Sequence, residues 1–205
     1  MTTGVIIVAA GSGTRLGSPL PKAFVSVAGV PMLQHSLASL SQWARWDSLV
    51  LVVPEGYEAP ARALATGMES VHVVVGGETR GDSVQQGMSA LPPETTHVLI
   101  HDAARALMPC DVFDRVLDAL GAGASGVIPH VPVVDTLVRV ESLLTEGGVD
   151  RDELGAVQTP QGFDVEALRR AYADTTEEFT DDAAVLRRAG HDVVGVEGHP
   201  RGFKI

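Results

Sequence analysis

Two cations stand in an otherwise uncharged, glycine-rich segment near the N-terminus, and that pairing suggests phosphate chemistry. Val5-Ile6-Ile7-Val8 has the length and β-branched content of a buried strand. It breaks into Gly11-Ser12-Gly13-Thr14-Arg15-Leu16-Gly17, with Lys22 just beyond. Glycines let the backbone turn tightly and bring its N–H groups together on an anion. With Arg15 and Lys22 beside it, such a turn reads as a polyphosphate cradle. A dinucleotide fingerprint fails because Leu16 stands where the third glycine belongs, and the P-loop pattern is absent too. A plain strand-to-helix turn carrying two exposed cations is the alternative.

Further on, Asp102 follows an apolar run and His101. A carboxylate at a strand's carboxyl end is placed to bind a metal or a substrate hydroxyl, or simply to cap a turn. Arg105 could take a phosphate bidentately or form a surface ion pair. Glu78, Arg80, Asp82 and Ser83 follow Gly76-Gly77 and could read a nucleobase or ribose; they also look like an ordinary helix start. The seven histidines show no zinc-ligand spacing, and His101 reads as a structural donor. No nucleophile elbow or Ser-His-Asp order is present.

The elements that must carry these residues alternate. Strands are expected at Val5–Val8, Leu49–Val53, Val71–Val75, Val98–Ile100, from Gly126, and at Val193–Val196. Phe24–Val27 reads as a short extended piece. Helices are expected on the stripes Leu33/Leu37/Leu40 (with Pro31 at the first position), Val84/Met88/Leu91 (capped by Asp82 or Ser83), Val112/Phe113/Val116/Leu117/Leu120 and Val165/Leu168/Tyr172. Residues 58–66 are alanine-rich and helical in character, and Thr180-Asp181-Asp182 caps a helix to about Arg188. Apolar strands without period-two alternation imply burial on both faces, hence a mainly parallel sheet between helix layers. The loops 11–22, 76–83 and 101–105 all follow strands and should meet at one sheet edge, where such folds bind ligands.

The rhythm breaks between Pro132 and Leu154. Asp135–Val140 alternates and Thr145–Arg151 supplies a glycine turn, so a β-hairpin arm is expected, either packing on a partner subunit or lying on the surface. Thr159–Phe163 reads as a rigid turn. The chain is expected to form a single domain over residues 1–205, with the arm at about 132–154.

Composition sets the outer bounds. Over 205 residues, 45% hydrophobic content supports a real core. A formal net charge of −11 argues against general binding of nucleic acid or anionic membrane. Any anionic ligand must then meet local positive groups, together with a divalent metal. The one cysteine, Cys110, reads as an inert buried thiol and rules out a disulfide framework. With no basic leader and no run of roughly 20 apolar residues, a soluble cytoplasmic protein is expected.

The motifs also carry a resemblance. AAGSGTRLG followed by PK is similar to the signature loop of nucleotidyltransferases that join a nucleoside triphosphate to a sugar or alditol phosphate. GGETRGDSV, HDAAR, PVVDT, VDR, TPQGF, TDDA and the final FKI follow in order. Together they resemble the 2-C-methyl-D-erythritol 4-phosphate cytidylyltransferase family of the non-mevalonate isoprenoid pathway, over essentially the whole chain. The opening loop is widely shared; HDAAR with TPQ and the arm motif discriminates. Ala106 stands where the family has a proline, and relatives continue past the position of Ile205 into a further threonine-proline-acidic segment and a helix.

The resemblance implies a Rossmann-like α/β fold of the nucleotide-diphospho-sugar transferase type. It implies transfer of CMP from CTP to 2-C-methyl-D-erythritol 4-phosphate, with Mg²⁺ or another divalent cation. The backbone of Ala9, Ala10, Gly11, Ser12 and Gly13 would wrap the triphosphate, and Arg15 and Lys22 would stabilise charge at the α-phosphate. Gly77, Glu78 and Ser83 would recognise cytosine. Asp102 would lie near ribose, metal and substrate. Arg105, Thr159 and Lys204 would hold the acceptor, while Thr136 and Arg151 on the arm would reach the site of the neighbouring subunit in a homodimer. A ribitol 5-phosphate cytidylyltransferase and a catalytically silent nucleotide-binding module are the rival readings.

Overall fold

The computed structural model describes residues 1–11, 13, 17–142, 144–175, 179 and 181–205, the side chain of Glu146 excepted. The first half alternates strand and helix: β1 (Thr3–Val8), a 3₁₀ turn at Lys22–Phe24, the short pair β2 (Ser26–Val27) and β3 (Val30–Pro31), α1 (Met32–Gln42), β4 (Ser48–Val53), α2 (Glu58–Leu64), β5 (Val71–Val75), α3 (Arg80–Ser89) and β6 (His97–Asp102). The second half adds α4 (Cys110–Gly121), β7 (Gly126–Pro132), β8 (Val138–Glu141), β9 (Leu144–Gly148), β10 (Gly155–Val157), β11 (Gln161–Asp164), α5 (Val165–Ala173), α6 (Asp182–Arg188) and β12 (Val193–Glu197).

The central sheet runs β10-β7-β11-β6-β1-β4-β5, with β12 on β7. β1, β4, β5 and β6 are mutually parallel, as are β7 and β12; β10 and β11 run antiparallel to their neighbours. The mainly parallel sheet expected from the apolar runs is therefore what forms. Both faces of the central strands are buried. Val5 and Ile7 of β1 pack with Leu33, Leu37, Leu49, Leu51 and Phe113 beneath α1, α2 and α4. Ile6 points the other way, to Val50, Val52, Val84, Leu168 and Leu186 beneath α3, α5 and α6. Successive side chains point to opposite faces, and the runs Val5–Val8 and Leu49–Val53 are apolar throughout, so these strands feed two cores and neither face can be turned to water without loss.

Several local expectations are corrected. Lys22–Phe24 is a 3₁₀ turn, so only Ser26–Val27 of the expected extended piece pairs as a strand. Pro31 precedes α1 as its N-cap. The N-cap of α3 is Thr79, not Asp82 or Ser83: Thr79 Oγ1 accepts from Asp82 N while the Asp82 carboxylate accepts from Thr79 N, a reciprocal capping box. Thr159–Phe163 is not simply a turn. Thr159–Pro160 is a cis peptide, and Gln161–Asp164 then enters the sheet as β11, between β6 and β7. The arm is a separate two-stranded sheet of β8 and β9, but Gly147 and Gly148 belong to its returning strand; the chain reverses around Ser142, at φ 49°.

No helix among the described residues is long and apolar enough to cross a membrane.

Candidate active site

Strand order decides where the site lies. β1 has β4 on one side and β6 on the other, so the connections diverge there and leave a crevice beyond the carboxyl ends. Register finishes the job: Val8 lies opposite Asp102, Ala103 N donates to Val8 O (3.1 Å), and Ala9 N donates to Val52 O (2.8 Å). A cavity of about 750 Å³ opens at this point, a volume suited to a nucleotide. Its walls are the ends of β1, β5 and β6, and its rim includes Lys204 and Ile205.

The first wall is the glycine turn. Ala9, Ala10, Gly11, Gly13 and Lys22 all line the cavity. Lys22 N donates to Gly11 O (3.3 Å), folding the turn back on itself. Gly13 sits at φ +68°, and a Cβ there would stand 2.8 Å from the Lys22 Cβ, so the residue facing Lys22 has to be glycine. Ser12 and Arg15 lie outside the described residues.

The second wall follows β5. Gly77, Glu78, Thr79, Arg80 and Ser83 line it. Ser83 is buried, and its hydroxyl accepts from Gly77 N (3.2 Å), which draws the turn onto the first turn of α3. A side chain at Gly77 would collide with the Asp82 Cβ. The capping box thus holds Gly77 and Glu78 at the cavity edge.

The third wall is the end of β6. Asp102 is nearly buried, and its two oxygens meet different cations: Oδ2 takes Lys204 Nζ at 2.8 Å, and Oδ1 faces Arg80 Nε at 3.5 Å. Burial alone would raise this carboxyl; Arg80 and Lys204 outweigh it and hold the group below the ordinary carboxylate range. Beside it, His101 is fully buried against Phe113 (ring centroids 5.1 Å apart). Burial, with help from Arg105, lowers its pKa to about 4 against the opposing pull of Asp102, so the ring is neutral.

Comparisons with known proteins place the whole chain in a family. The family model described as IspD, 2-C-methyl-D-erythritol 4-phosphate cytidylyltransferase, matches residues 3–205. The chain belongs to that family. It is 44% identical to the 2-C-methyl-D-erythritol 4-phosphate cytidylyltransferase of Streptomyces coelicolor, covering 99% of this chain and 80% of that one. It is 46% identical to a bifunctional enzyme IspD/IspF of Clavibacter michiganensis, of which it spans only 51%. Among solved structures, the 2-C-methyl-D-erythritol 4-phosphate cytidylyltransferase of Thermus thermophilus superposes with a TM-score of 0.84 at 33% identity, covering 100% of this chain and 93% of that one. As a member of the IspD family, the chain is a CTP-dependent cytidylyltransferase of isoprenoid precursor biosynthesis.

Not every residue expected at the IspD site faces the cavity. Thr159 is buried one layer behind it: its hydroxyl accepts from Asp102 N (3.0 Å) and meets His101 Nδ1 (3.0 Å). Arg105 is also absent from the lining. Its guanidinium donates to Gly202 O (2.6 Å) and Val157 O (3.0 Å), tying the C-terminal segment to β10. Gln158 adds two bonds to the backbone of His199, both 2.9 Å, and Ile205 N donates to Ala104 O at 2.9 Å. The strap so formed carries Lys204 to the cavity rim. Thr136 and Arg151 sit exposed on the arm, outside the lining of this chain's own cavity, and Arg151 donates to Val134 O (2.6 Å).

Arg80 is the lining residue whose importance motif reading understated. Its Nη1 pairs with Asp182 Oδ2 at 2.8 Å, and Asp182 is completely buried. Asp182 Oδ1 in turn accepts from the Tyr172 hydroxyl at 2.5 Å. Burial disfavours the charge on Arg80, but Asp182 and Asp102 more than restore it. The available signal was a second aspartate after the α6 cap, on a helix whose neighbours Ala183, Val185 and Leu186 are all apolar.

Proposed function

We propose that this cavity transfers CMP from CTP to 2-C-methyl-D-erythritol 4-phosphate, giving 4-diphosphocytidyl-2-C-methyl-D-erythritol and pyrophosphate, with the residues acting as follows. A phosphate oxygen of the acceptor attacks the α-phosphorus of CTP in line. The new O–P bond forms as the bond to the β-phosphate oxygen breaks, and the electron pair leaves with pyrophosphate. The nucleophile is already an anion near neutral pH, so the demand is for cations and for alignment rather than for a strong base. The observation that carries the reading is the convergence of Gly11, Gly13, Lys22, Gly77, Asp102 and Lys204 around one cavity of about 750 Å³.

The backbone of Ala9 to Gly13, Ser12 included, cradles the triphosphate. Lys22 and Arg15 stabilise charge at the α-phosphate. Gly77, Glu78 and Ser83 meet cytosine, Ser83 through the turn that it shapes. Asp102 faces the ribose. Lys204 takes the acceptor phosphate; Arg105 acts on the acceptor by holding the Lys204 strap, and Thr159 by fixing Asp102. Thr136 and Arg151 complete the site of a neighbouring subunit in a homodimer built on the arm, whose Val134, Val140 and Leu144 are 70–79% exposed.

The donor chemistry suits Mg²⁺. With Lys204 on the acceptor phosphate, Asp102 Oδ2 would offer a hard carboxylate oxygen at the cavity wall, and the nucleotide's phosphates would supply most of the remaining ligands. When bound, the ion neutralises triphosphate charge. Among the described residues, no group of three His, Cys, Asp or Glu side chains is placed to hold a metal. The single cysteine fits a reducing cytoplasm.

The test is pyrophosphate release with CTP, Mg²⁺ and either 2-C-methyl-D-erythritol 4-phosphate or ribitol 5-phosphate. Release with the first is expected. Release with ribitol phosphate alone would keep the reaction and replace the acceptor; CTP binding without release from either would indicate a silent module.

A further inference from the structure

Asp182 has no local reason to be an aspartate. The cap of α6 is already supplied by Asp181, whose Oδ1 accepts from Ala184 N at 2.8 Å. Asp182 is instead 0% exposed, and a buried carboxylate costs several kcal/mol unless it is paired. Its two oxygens are used up by Tyr172 from α5 and Arg80 from α3. Tyr172 also packs directly over α3, its ring 3.7 Å from where a Cβ on Gly81 would sit. Three helices on one side of the sheet therefore converge to fix one guanidinium.

That guanidinium points onward to the site. Because the group is planar and rigid, seating Nη1 on Asp182 also fixes where Nε lies, in ion-pair contact with Asp102 Oδ1 at 3.5 Å. The two cations on Asp102 differ in firmness: the Lys204 side chain is 51% exposed on the C-terminal strap, whereas that of Arg80 is 25% exposed and anchored. If Lys204 swings to the acceptor phosphate, as in the proposed reaction, Arg80 is the cation that remains on Asp102.

We propose that Arg80, anchored by Asp182 and Tyr172, is a positioning residue for cytidylyl transfer that holds the Asp102 carboxylate in its working orientation. The inference rests on the cytidylyltransferase reading of the cavity. Removing Arg80 alone would strand a buried charge, so the useful variant is the double Arg80→Gln/Asp182→Asn, which removes both charges and keeps planar hydrogen-bonding groups. It is compared with Asp102→Asn and with the triple variant, after melting curves confirm that each folds. The double variant should lose on the order of 10²-fold in kcat with little change in KM for CTP. In the Asp102→Asn background, the same change should cost no more than about twofold, because the residue it acts through is already lost. Tyr172→Phe, which leaves both charges, should show a smaller loss in the same direction.

A proportional loss in both backgrounds would overturn the inference. So would a raised KM for CTP at unchanged kcat, which would make Arg80 a direct nucleotide contact. Wild-type protein that fails to turn over would count against the proposed reaction instead. Crystal structures of the wild type and the double variant then decide the positioning role without turnover: a rotated Asp102 carboxylate supports it, and an unmoved one overturns it.

Discussion

Lys204 Nζ lies 2.8 Å from Asp102 Oδ2, although 102 positions separate the two residues along the chain. The contact joins the C-terminal strap to the end of β6, at the point where the strap crosses the cavity rim. Lys204 is its half-exposed member, and the buried Asp102 keeps Arg80 beside it when Lys204 is removed, so the pair's stability value is at most about 1 kcal/mol. Its worth lies in where it parks a cation.

Lys204→Met should therefore leave the melting temperature nearly unchanged while raising KM for the acceptor phosphate. A lost charge-assisted hydrogen bond corresponds to on the order of tenfold or more. KM for CTP should move far less. Steady-state kinetics with each substrate varied in turn make the comparison; a change confined to CTP would remove Lys204 from the acceptor subsite.

Lys22 stands in the opposite position, inside the glycine turn with Gly13 against it. Lys22→Ala should lower kcat by the equivalent of about 2.7–4 kcal/mol, the usual cost of losing one preorganised donor to transition-state charge. Arg15→Ala should do the same. Single-turnover pyrophosphate release measures it, with circular dichroism to confirm the fold. Turnover near wild type would show that the cradle is not where charge develops.

How much of this was open to sequence reading depended on distance along the chain. Val5–Val8 and Leu49–Val53 announce themselves because every residue is apolar and each strand is buried on both faces. β11 was hidden: Thr159-Pro160-Gln161-Gly162 has turn composition, and only its position between β6 and β7 makes Gln161–Asp164 a strand. The glycines of the arm misled in the same way, since turn-forming residues were placed in a returning strand. That Ala9, Ala10, Gly11, Gly13 and Lys22 share one cavity wall was readable because they are close together in the chain. The Arg80–Asp182 pair was not, since its partners lie 102 positions apart and no periodicity links them. Thr159 and Arg105 stand out in the sequence as motif members, but only the fold reveals that their polar groups meet Asp102 and the strap.

His101 makes stability depend on pH in a defined window. Its pKa is lowered from about 6.5 to about 4 by burial, so the unfolded chain binds a proton between those values that the folded chain refuses. The contribution is fully present above about pH 6.5 and is lost as pH falls toward 4, a change on the order of 3 kcal/mol. The depressed carboxyl of Asp102 adds its own loss only at lower pH. Urea midpoints at pH 7.5, 5.5 and 4.5 should fall accordingly, and His101→Asn should flatten the upper part of the slope. An equally steep slope in that variant would assign the effect to other groups.

The arm makes the most direct prediction about assembly. Arg151 lies exposed on it, outside this chain's own cavity, and the neighbouring Val134, Val140 and Leu144 are at least 70% exposed. If Arg151 serves the partner's site, Lys22→Ala and Arg151→Ala damage different chains of the same composite site. Each variant alone should be nearly inactive. Mixed and allowed to exchange subunits, they form heterodimers in which the Arg151→Ala chain keeps its Lys22 and receives Arg151 from the Lys22→Ala chain. One site per heterodimer is then whole, and turnover should return on mixing. Replacing Val140 and Leu144 with aspartate should abolish both dimerisation, read by light scattering, and this recovery. Variants that stay inactive together while exchanging subunits freely would place Arg151 outside the site.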